Sequence, residues 1–238
     1  MDVAKNTVFV TGASRGLGLA FAREAVRRGA TKVYAGMRNI EGFNEPGIIP
    51  VKIDVTDKAS IAAAAALATD TNILVNNAGI AALIDGPLSG DVEEQSKHLF
   101  DTNYYGVVRV TQAFEQALSN KAQAAIINVL SDIVWLPRPI LTPYAASKAA
   151  AWSFTNQLRH HLLERGIKVL GLHVGFLDTD LTKGIDVPKA DPQDVVRQTY
   201  DALAAGKSEV MADHGTKVLK TTLSDEQPGY IHLPEGMF

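Results

Sequence analysis

Short apolar runs alternate with longer helical patterns along most of the chain, and this alternation constrains the fold more than any other feature. Thr7–Val10, Lys32–Ala35, Ile49–Ile53, Asn72–Val75, Ala125–Leu130 and Lys168–Val174 predict strands. Helical patterns run near 17–28, 57–68, 90–119, 143–165 and 192–205. Several strands are apolar throughout, as a strand must be when helices cover both faces of its sheet. Repeated β–α–β order predicts a parallel, doubly wound α/β sheet. A last strand is expected at Glu209–Met211, before a tail rich in turn formers.

No linker interrupts the pattern, and 238 residues suit one α/β domain spanning 1–238. The stretch 175–192 is longer and less regular than the other connections and is expected to act as a substrate loop or lid. A hydrophobic content of 46% excludes a disordered chain. The net charge is −3, with no Lys/Arg block, so neither nucleic acid nor an anionic membrane is an expected partner. No apolar run is long enough to span a bilayer. With no cysteine, disulfides, thiol catalysis and Cys-ligated zinc are excluded. Together with the lack of a signal-peptide core in Met1–Asn6, this suits a cytoplasmic location.

Chemistry enters at Thr11-Gly12-Ala13-Ser14-Arg15-Gly16-Leu17-Gly18, between the first strand and the first helix. Glycines there let the backbone turn tightly and approach a pyrophosphate, and the helix start supplies N–H donors. The second strand ends at Gly36-Met37-Arg38, with no carboxylate for a ribose 2′-hydroxyl and one guanidinium suited to a 2′-phosphate. Arg15 and Arg38 therefore predict NADP(H) in preference to NAD(H). Asp54-Val55 and Asn76-Asn77-Ala78-Gly79 follow the third and fourth strands, at the strand ends where open α/β sheets bind ligands.

Tyr144 and Lys148 stand four residues apart in a predicted helix, which places them on one face. A cation held there lowers the pKa of a phenol. Ser131, arriving from a strand end, is suited to hold the same substrate oxygen. Asn103 sits inside the predicted helix 90–119, where asparagine is a poor interior residue. A local kink is expected there, with the side chain or a freed carbonyl holding water. His98, His160, His161, His173 and His214 lack zinc-ligand spacing and are expected to be non-catalytic, with no metal involved.

Thr11-Gly12-x3-Gly16-x-Gly18, Asp54-Val55, Asn76-Asn77-Ala78-Gly79, Asn103, Ser131 and Tyr144-x3-Lys148 occur in an order and at spacings that resemble the short-chain dehydrogenase/reductase family in its single-domain form. The resemblance implies a Rossmann-type sheet of about seven parallel strands, a nicotinamide cofactor, and a homodimer or homotetramer built partly on the helices 90–119 and 143–165. It implies catalytic roles for Asn103, Ser131, Tyr144 and Lys148. Cofactor contacts are implied for Gly12, Ser14, Arg15, Gly16, Leu17, Gly18, Arg38, Asp54, Val55, Asn76, Ala78, Gly79, Tyr144, Lys148 and Thr179. Two departures stand out. Val174-Gly175 replaces the usual Pro-Gly, and Met211-Ala212-Asp213-His214-Gly215 replaces the usual Asp-Gly-Gly ending.

The expected reaction interconverts a ketone or aldehyde and an alcohol, with Tyr144 as general acid/base. Ser131 binds the substrate oxygen, Lys148 binds the cofactor ribose, and Asn103 links Lys148 to water. An NADP(H)-binding regulator without turnover, and an enzyme working mainly as an NADP+-dependent alcohol dehydrogenase, are the alternatives. Ala81, Ile133, Trp135, Leu136, Phe176, Leu177 and Leu181 are candidate substrate contacts and favour an apolar small molecule. Arg138 is either an anion contact or, as the sequence favours, a surface residue.

Overall fold

The structure is a computed structural model and describes residues 1–179 and 182–231. Seven parallel strands form one sheet in the order β3-β2-β1-β4-β5-β6-β7. These are β1 (Thr7–Thr11), β2 (Lys32–Met37), β3 (Ile49–Lys52), β4 (Ile73–Asn76), β5 (Ala124–Val129), β6 (Ile167–His173) and β7 (Glu209–Met211). The helices are α1 (Gly16–Arg27), α2 (Lys58–Leu67), α3 (Val92–Phe100), α4 (Gly106–Ser119), α5 (Thr142–His161), α6 (Pro192–Ala204) and α7 (His214–Thr221). The expected doubly wound α/β architecture is present, with strand boundaries within two residues of the sequence reading.

Alternate residues of each strand feed two cores, because successive side chains point to opposite faces. Val8, Val10, Val33, Ala35, Ile127 and Leu170 pack with Phe21 of α1 and with Val195, Val196 and Tyr200 of α6. Phe9, Tyr34, Leu74, Ile126 and Val169 pack on the other face with Ile61 of α2 and with Val110, Phe114 and Leu118 of α4. Burying both faces explains why the strands lack polar alternation. The strand order reverses between β1 and β4, and the crevice at that switch point is where such sheets take ligands.

Two elements differ from the sequence reading. The predicted helix 90–119 is three pieces, with a π-helical turn at Asp101–Tyr105 between α3 and α4. Gly106 N–H donates to the Asp101 carbonyl across this turn, leaving one residue bulged out of the α-helical ladder. The expected departure from a regular α-helix therefore falls at Asn103, as a π-turn. The second difference is α7, within the tail read as turns. Asp213 caps it by accepting from Thr216 N–H at 2.8 Å.

Candidate active site

The glycine turn is the tightest place in the crevice. Gly12 has φ +67°, and a Cβ there would lie 2.8 Å from the Ala78 Cα. Thr11 and Asn77 hold the two strand ends together. The Thr11 hydroxyl accepts from Asn77 N–H at 3.0 Å and Ala78 N–H at 3.1 Å, while Asn77 Nδ2 donates to the carbonyls of Thr11 and Gly12 at 2.9 and 3.1 Å. The start of α1 has no side-chain cap, so its N–H groups suit an anionic ligand. These features fit a dinucleotide pyrophosphate: only glycine allows the turn, and donors face the space beside it. Ser14, Arg15 and Gly16 are exposed, while Leu17 and Gly18 are buried beneath them. Thr179 lies over the turn, since a Cβ on Gly16 would stand 3.5 Å from its Cγ2.

At the far end of the crevice, exposed Arg38 joins Lys52, Asp54, Asp57 and Ser60 around an open cleft beyond β2 and β3. Asp54 accepts from Thr56 N–H at 2.9 Å and from the Thr56 hydroxyl at 2.7 Å. These two bonds hold its carboxyl below the usual range, with Arg38 adding to the effect. Val55 is buried against Gly106 of α4.

The side chain of Asn76 does not face the crevice. It is buried and donates to Thr111 Oγ1 at 3.1 Å and Asn128 Oδ1 at 2.9 Å, and Asn128 in turn donates to Thr155. As the last residue of β4, Asn76 directs its amide into the sheet interior, and Asn77 is the one that turns toward the glycines. The sequence reading missed Asn77 as a positioning residue, although it is adjacent to residues that were singled out.

Ser131, Tyr144, Lys148 and Asn103 converge beyond β4 and β5. Ser131 follows the end of β5 and is buried, and Tyr144 enters from the first turn of α5, half-buried. Lys148 lies one turn further along α5, with its Nζ 5.8 Å from the Tyr144 ring centroid. The Lys148 ammonium donates to the Val129 carbonyl at 2.8 Å, and burial pushes its pKa down to about 8. Burial pushes the Tyr144 phenol up to about 12, against the opposing effect of the neighbouring Ser131 hydroxyl. Desolvation dominates at the phenol, so the net shift is opposite to the lowering expected from Lys148.

Asn103 is fully buried, and both protons of its amide are used. It accepts from Ile80 N–H and donates to the Ile80 carbonyl, both at 2.9 Å, and it donates to Ser147 Oγ at 2.9 Å. Its side chain therefore binds the segment after Gly79 to α5 and is not available for water. Of the two options in the sequence reading, only the main-chain carbonyl in the π-turn is left. Gly79 borders both groups: a Cβ there would lie 3.3 Å from Asn103 Oδ1 and 3.6 Å from Lys148 Nζ.

The candidate substrate contacts divide. Phe176 and Leu177 are half-buried at the start of the loop after β6, and Ala81 is exposed. Ile133 is buried. Trp135 and Leu136 are also buried, and they pack with Leu219 of α7 rather than lining the crevice. Leu181 lies outside the described residues. The loop is pinned at both ends, with Asp178 N–H donating to the Ala190 carbonyl at 3.0 Å and Ala190 N–H to the Phe176 carbonyl at 2.8 Å. Without the usual proline, Gly175 is held by its N–H donating to Asp213 Oδ2 at 2.9 Å. Arg138 is not a surface residue. Its side chain is 15% exposed, pairs with Asp132 at 3.1 Å and stacks on Phe176 at 4.9 Å.

His173 also differs from its bland sequence reading. It is fully buried behind Ser131, with Nδ1 3.3 Å from the Ser131 carbonyl and Nε2 3.4 Å from Glu209 Oε1. Trp135 stacks on the ring at 4.1 Å. His173, followed by Lys220, holds the Glu209 carboxyl down to about 2. An unfolded glutamate titrates near ~4.3. The stabilisation is thus complete above that value and is lost as pH falls toward about 2. Glu209→Gln is expected to lower Tm at about pH 5, with the gap closing as pH falls toward about 2. Melting curves of both proteins from acid to neutral pH check this; a gap independent of pH would contradict it.

The short chain dehydrogenase family model matches residues 6–189, most of the chain and all of the crevice. The chain is 32% identical over 198 residues to the 3-oxoacyl-(acyl-carrier-protein) reductase FabG of Vibrio harveyi, covering 78% of this chain and 79% of that one. A short chain dehydrogenase from Burkholderia cenocepacia J2315, solved in complex with NADP, superposes with a TM-score of 0.89 at 32% identity, covering 95% of each chain. A short chain dehydrogenase/reductase from Burkholderia phymatum, solved with NAD, superposes with a TM-score of 0.79 at 24% identity, covering 93% of this chain and 92% of that one. The second structure speaks to the fold alone. Crevice, residue set and matches agree: this chain is an oxidoreductase-type α/β protein that belongs to the short-chain dehydrogenase family.

Proposed function

We propose that the protein interconverts a ketone or aldehyde and the corresponding alcohol with NADP(H), using Tyr144 as general acid/base. The convergence of Ser131, Tyr144 and Lys148 beside the glycine turn carries this reading. When bound, the nicotinamide cofactor supplies or accepts the hydride. Tyr144 gives a proton to the carbonyl oxygen in reduction and takes one from the alcohol in oxidation. Ser131 donates a hydrogen bond to that oxygen and stabilises the charge that develops there. Lys148 holds the cofactor ribose, and a water accepted by the main-chain carbonyl at Asn103 relays protons between solvent and Lys148.

A phenol at about 12 holds its proton at neutral pH, where it can be given to a carbonyl oxygen. The alcohol-oxidising alternative needs the tyrosinate and gains as pH rises. Incubation with NADPH and a panel of ketones, aldehydes and quinones tests the reading. Steady NADPH consumption with an apolar carbonyl supports it, whereas tight binding without consumption on every panel member favours the regulator.

NADP(H) preference is supported by the absence of a carboxylate at Gly36-Met37-Arg38 and by exposed Arg38 at the cleft. The NADP complex of the Burkholderia cenocepacia relative points the same way. A hydrogen bond to a charged group contributes about 1.5–3 kcal/mol. Arg38→Asp is therefore expected to raise the KM for NADPH about 10- to 100-fold and to improve use of NADH. Equal KM values for the two cofactors, unchanged in the variant, would remove the assignment. The remaining parts of the reading are a cytoplasmic location and a homodimer or homotetramer; among the described residues no helix is long and apolar enough to cross a membrane. Light scattering distinguishes the two assemblies.

A further inference from the structure

The hydroxyl proton of Ser131 is already committed in this structure. Ser131 Oγ accepts from Ile133 N–H at 3.2 Å and donates to Asp132 Oδ1 at 3.1 Å. A serine hydroxyl has one proton to give. A substrate oxygen at Ser131 must therefore compete with Asp132 for that proton, as the neighbouring Tyr144 oxygen also does. Asp132 is 6% exposed, and a carboxylate so buried needs a compensating charge. Arg138 supplies it with two contacts, NH1 to Oδ1 at 3.3 Å and NH2 to Oδ2 at 3.1 Å.

The pair joins three segments that frame the site. Asp132 follows β5, and its N–H donates to the Val174 carbonyl after β6 at 3.2 Å. Arg138 precedes α5 and lies over the Phe176 ring in the loop after β6. Gly175 makes room for the carboxylate, since a Cβ there would stand 3.3 Å from Asp132 Oδ2. The same loop is thus seated on the group that controls Ser131.

The geometry points to Asp132 and Arg138 as paired positioning residues: Asp132 orients the Ser131 hydroxyl and competes with substrate for its proton, and Arg138 cancels the charge that Asp132 brings beside Tyr144. Neither residue is a catalytic residue; each acts through Ser131 or through the field at the phenol. Because the guanidinium is held by Asp132 and Phe176, its charge is spent within the protein. The assignment rests on Ser131 and Tyr144 being the acid/base machinery proposed above.

The charges around this cluster set the sign of the test. Asp132 raises the Tyr144 phenol and Arg138 lowers it, both by Coulomb interaction. Lys148 lies on α5 itself, 5.8 Å from the ring. From β6, His173 reaches the Ser131 carbonyl, with Glu209 of β7 behind it. Asp213, the cap of α7, adds a second carboxylate beside Gly175: its Oδ2 would stand 3.8 Å from a Cβ there, and it accepts from Gly175 N–H at 2.9 Å. Asp132→Asn removes the raising charge and leaves Arg138 uncompensated. Arg138→Gln does the reverse. A charge at such range moves a pKa by about a unit or more.

The test is the onset of tyrosinate absorbance during alkaline titration of the cofactor-free protein, with Tyr144→Phe subtracted to isolate Tyr144. The pH at which a fixed small fraction is ionised lies below the midpoint, within the range where circular dichroism shows an intact fold, and moves with it. The midpoint is expected to fall by about a unit or more in Asp132→Asn, to rise in Arg138→Gln, and to return near the wild-type value in the double variant. The pH profile of alcohol oxidation is expected to move in the same opposed directions. Removing one partner of a buried pair destabilises far more than removing both, so the double variant folds even where a single one fails. A double variant with a displaced midpoint overturns the compensation, as do single variants that shift together or not at all. The absorbance titration needs no turnover. An inactive wild type with opposed shifts would therefore count against the proposed reaction and not against the paired charges.

Discussion

Tyr144→Phe is expected to reduce turnover by about 10²–10⁴-fold, the usual contribution of a general acid, while leaving cofactor affinity nearly unchanged. The reasoning is local. The phenol is held at about 12 by burial, so at neutral pH nearly every molecule carries the transferable proton. Phenylalanine keeps the ring that lies near Lys148 and removes only the hydroxyl. The residue sits in the first turn of α5, on a different element from the glycine turn that precedes α1, so the pyrophosphate end of the crevice is undisturbed. Single-turnover kinetics and cofactor fluorescence titration measure the two parts separately. A Phe variant that turns over at the wild-type rate would remove Tyr144 from the chemistry.

Gly18→Ala carries the second large effect, and it acts on binding. A Cβ at position 18 would overlap the Gly12 carbonyl oxygen and come within 2.5 Å of Asn77 Nδ2. Both neighbours are committed, since Asn77 Nδ2 bonds the carbonyls of Thr11 and Gly12. One methyl group therefore pushes α1 away from the turn or breaks the Asn77 bridge. Overpacking a tight contact costs about 1–3 kcal/mol. The expected results are a lower Tm and a cofactor Kd raised at least about tenfold, since the donors at the start of α1 no longer converge. Gly42→Ala provides a contrast. Gly42 has φ +70° with open space around it, so alanine there strains the backbone without touching the turn. Calorimetry of both variants with NADPH separates the effects. Equal cofactor affinity in Gly18→Ala and wild type would contradict this account of the turn.

The sheet was legible because its strands are apolar on both faces. Val8, Phe9 and Val10 alternate between two cores, and no polar residue had to be placed. The glycine turn was legible because a strand, a glycine cluster and a helix succeed one another within a few residues. The substrate wall was not. Trp135 and Leu136 are as apolar as Phe176, and apolarity cannot say whether a side chain faces a crevice or the underside of α7. The helix α7 itself was hidden, because it is short and largely polar and its burial rests on Thr216 and Leu219.

Polar residues were misread where partners are distant in sequence. Asn103 looked like a water ligand, yet its side chain is consumed by Ile80 and Ser147, 23 and 44 residues away. His173 meets Glu209 only because β6 pairs with β7. Arg138 looked solvated because its partner, although only six residues away, lies across a turn from it. Charge pairs of this kind are set by the fold, and sequence spacing outside a helix does not report them.

The most direct measurement follows the hydride itself. NADPH carrying deuterium at the transferable position is incubated with an apolar ketone that the enzyme consumes, and the alcohol is analysed by mass spectrometry and NMR. A single deuterium on the carbinol carbon, formed by wild type and lost with the activity in Tyr144→Phe, is the predicted result. Alcohol that contains no deuterium, or labelled alcohol formed equally fast by the Phe variant, would contradict hydride transfer with Tyr144 as the proton donor.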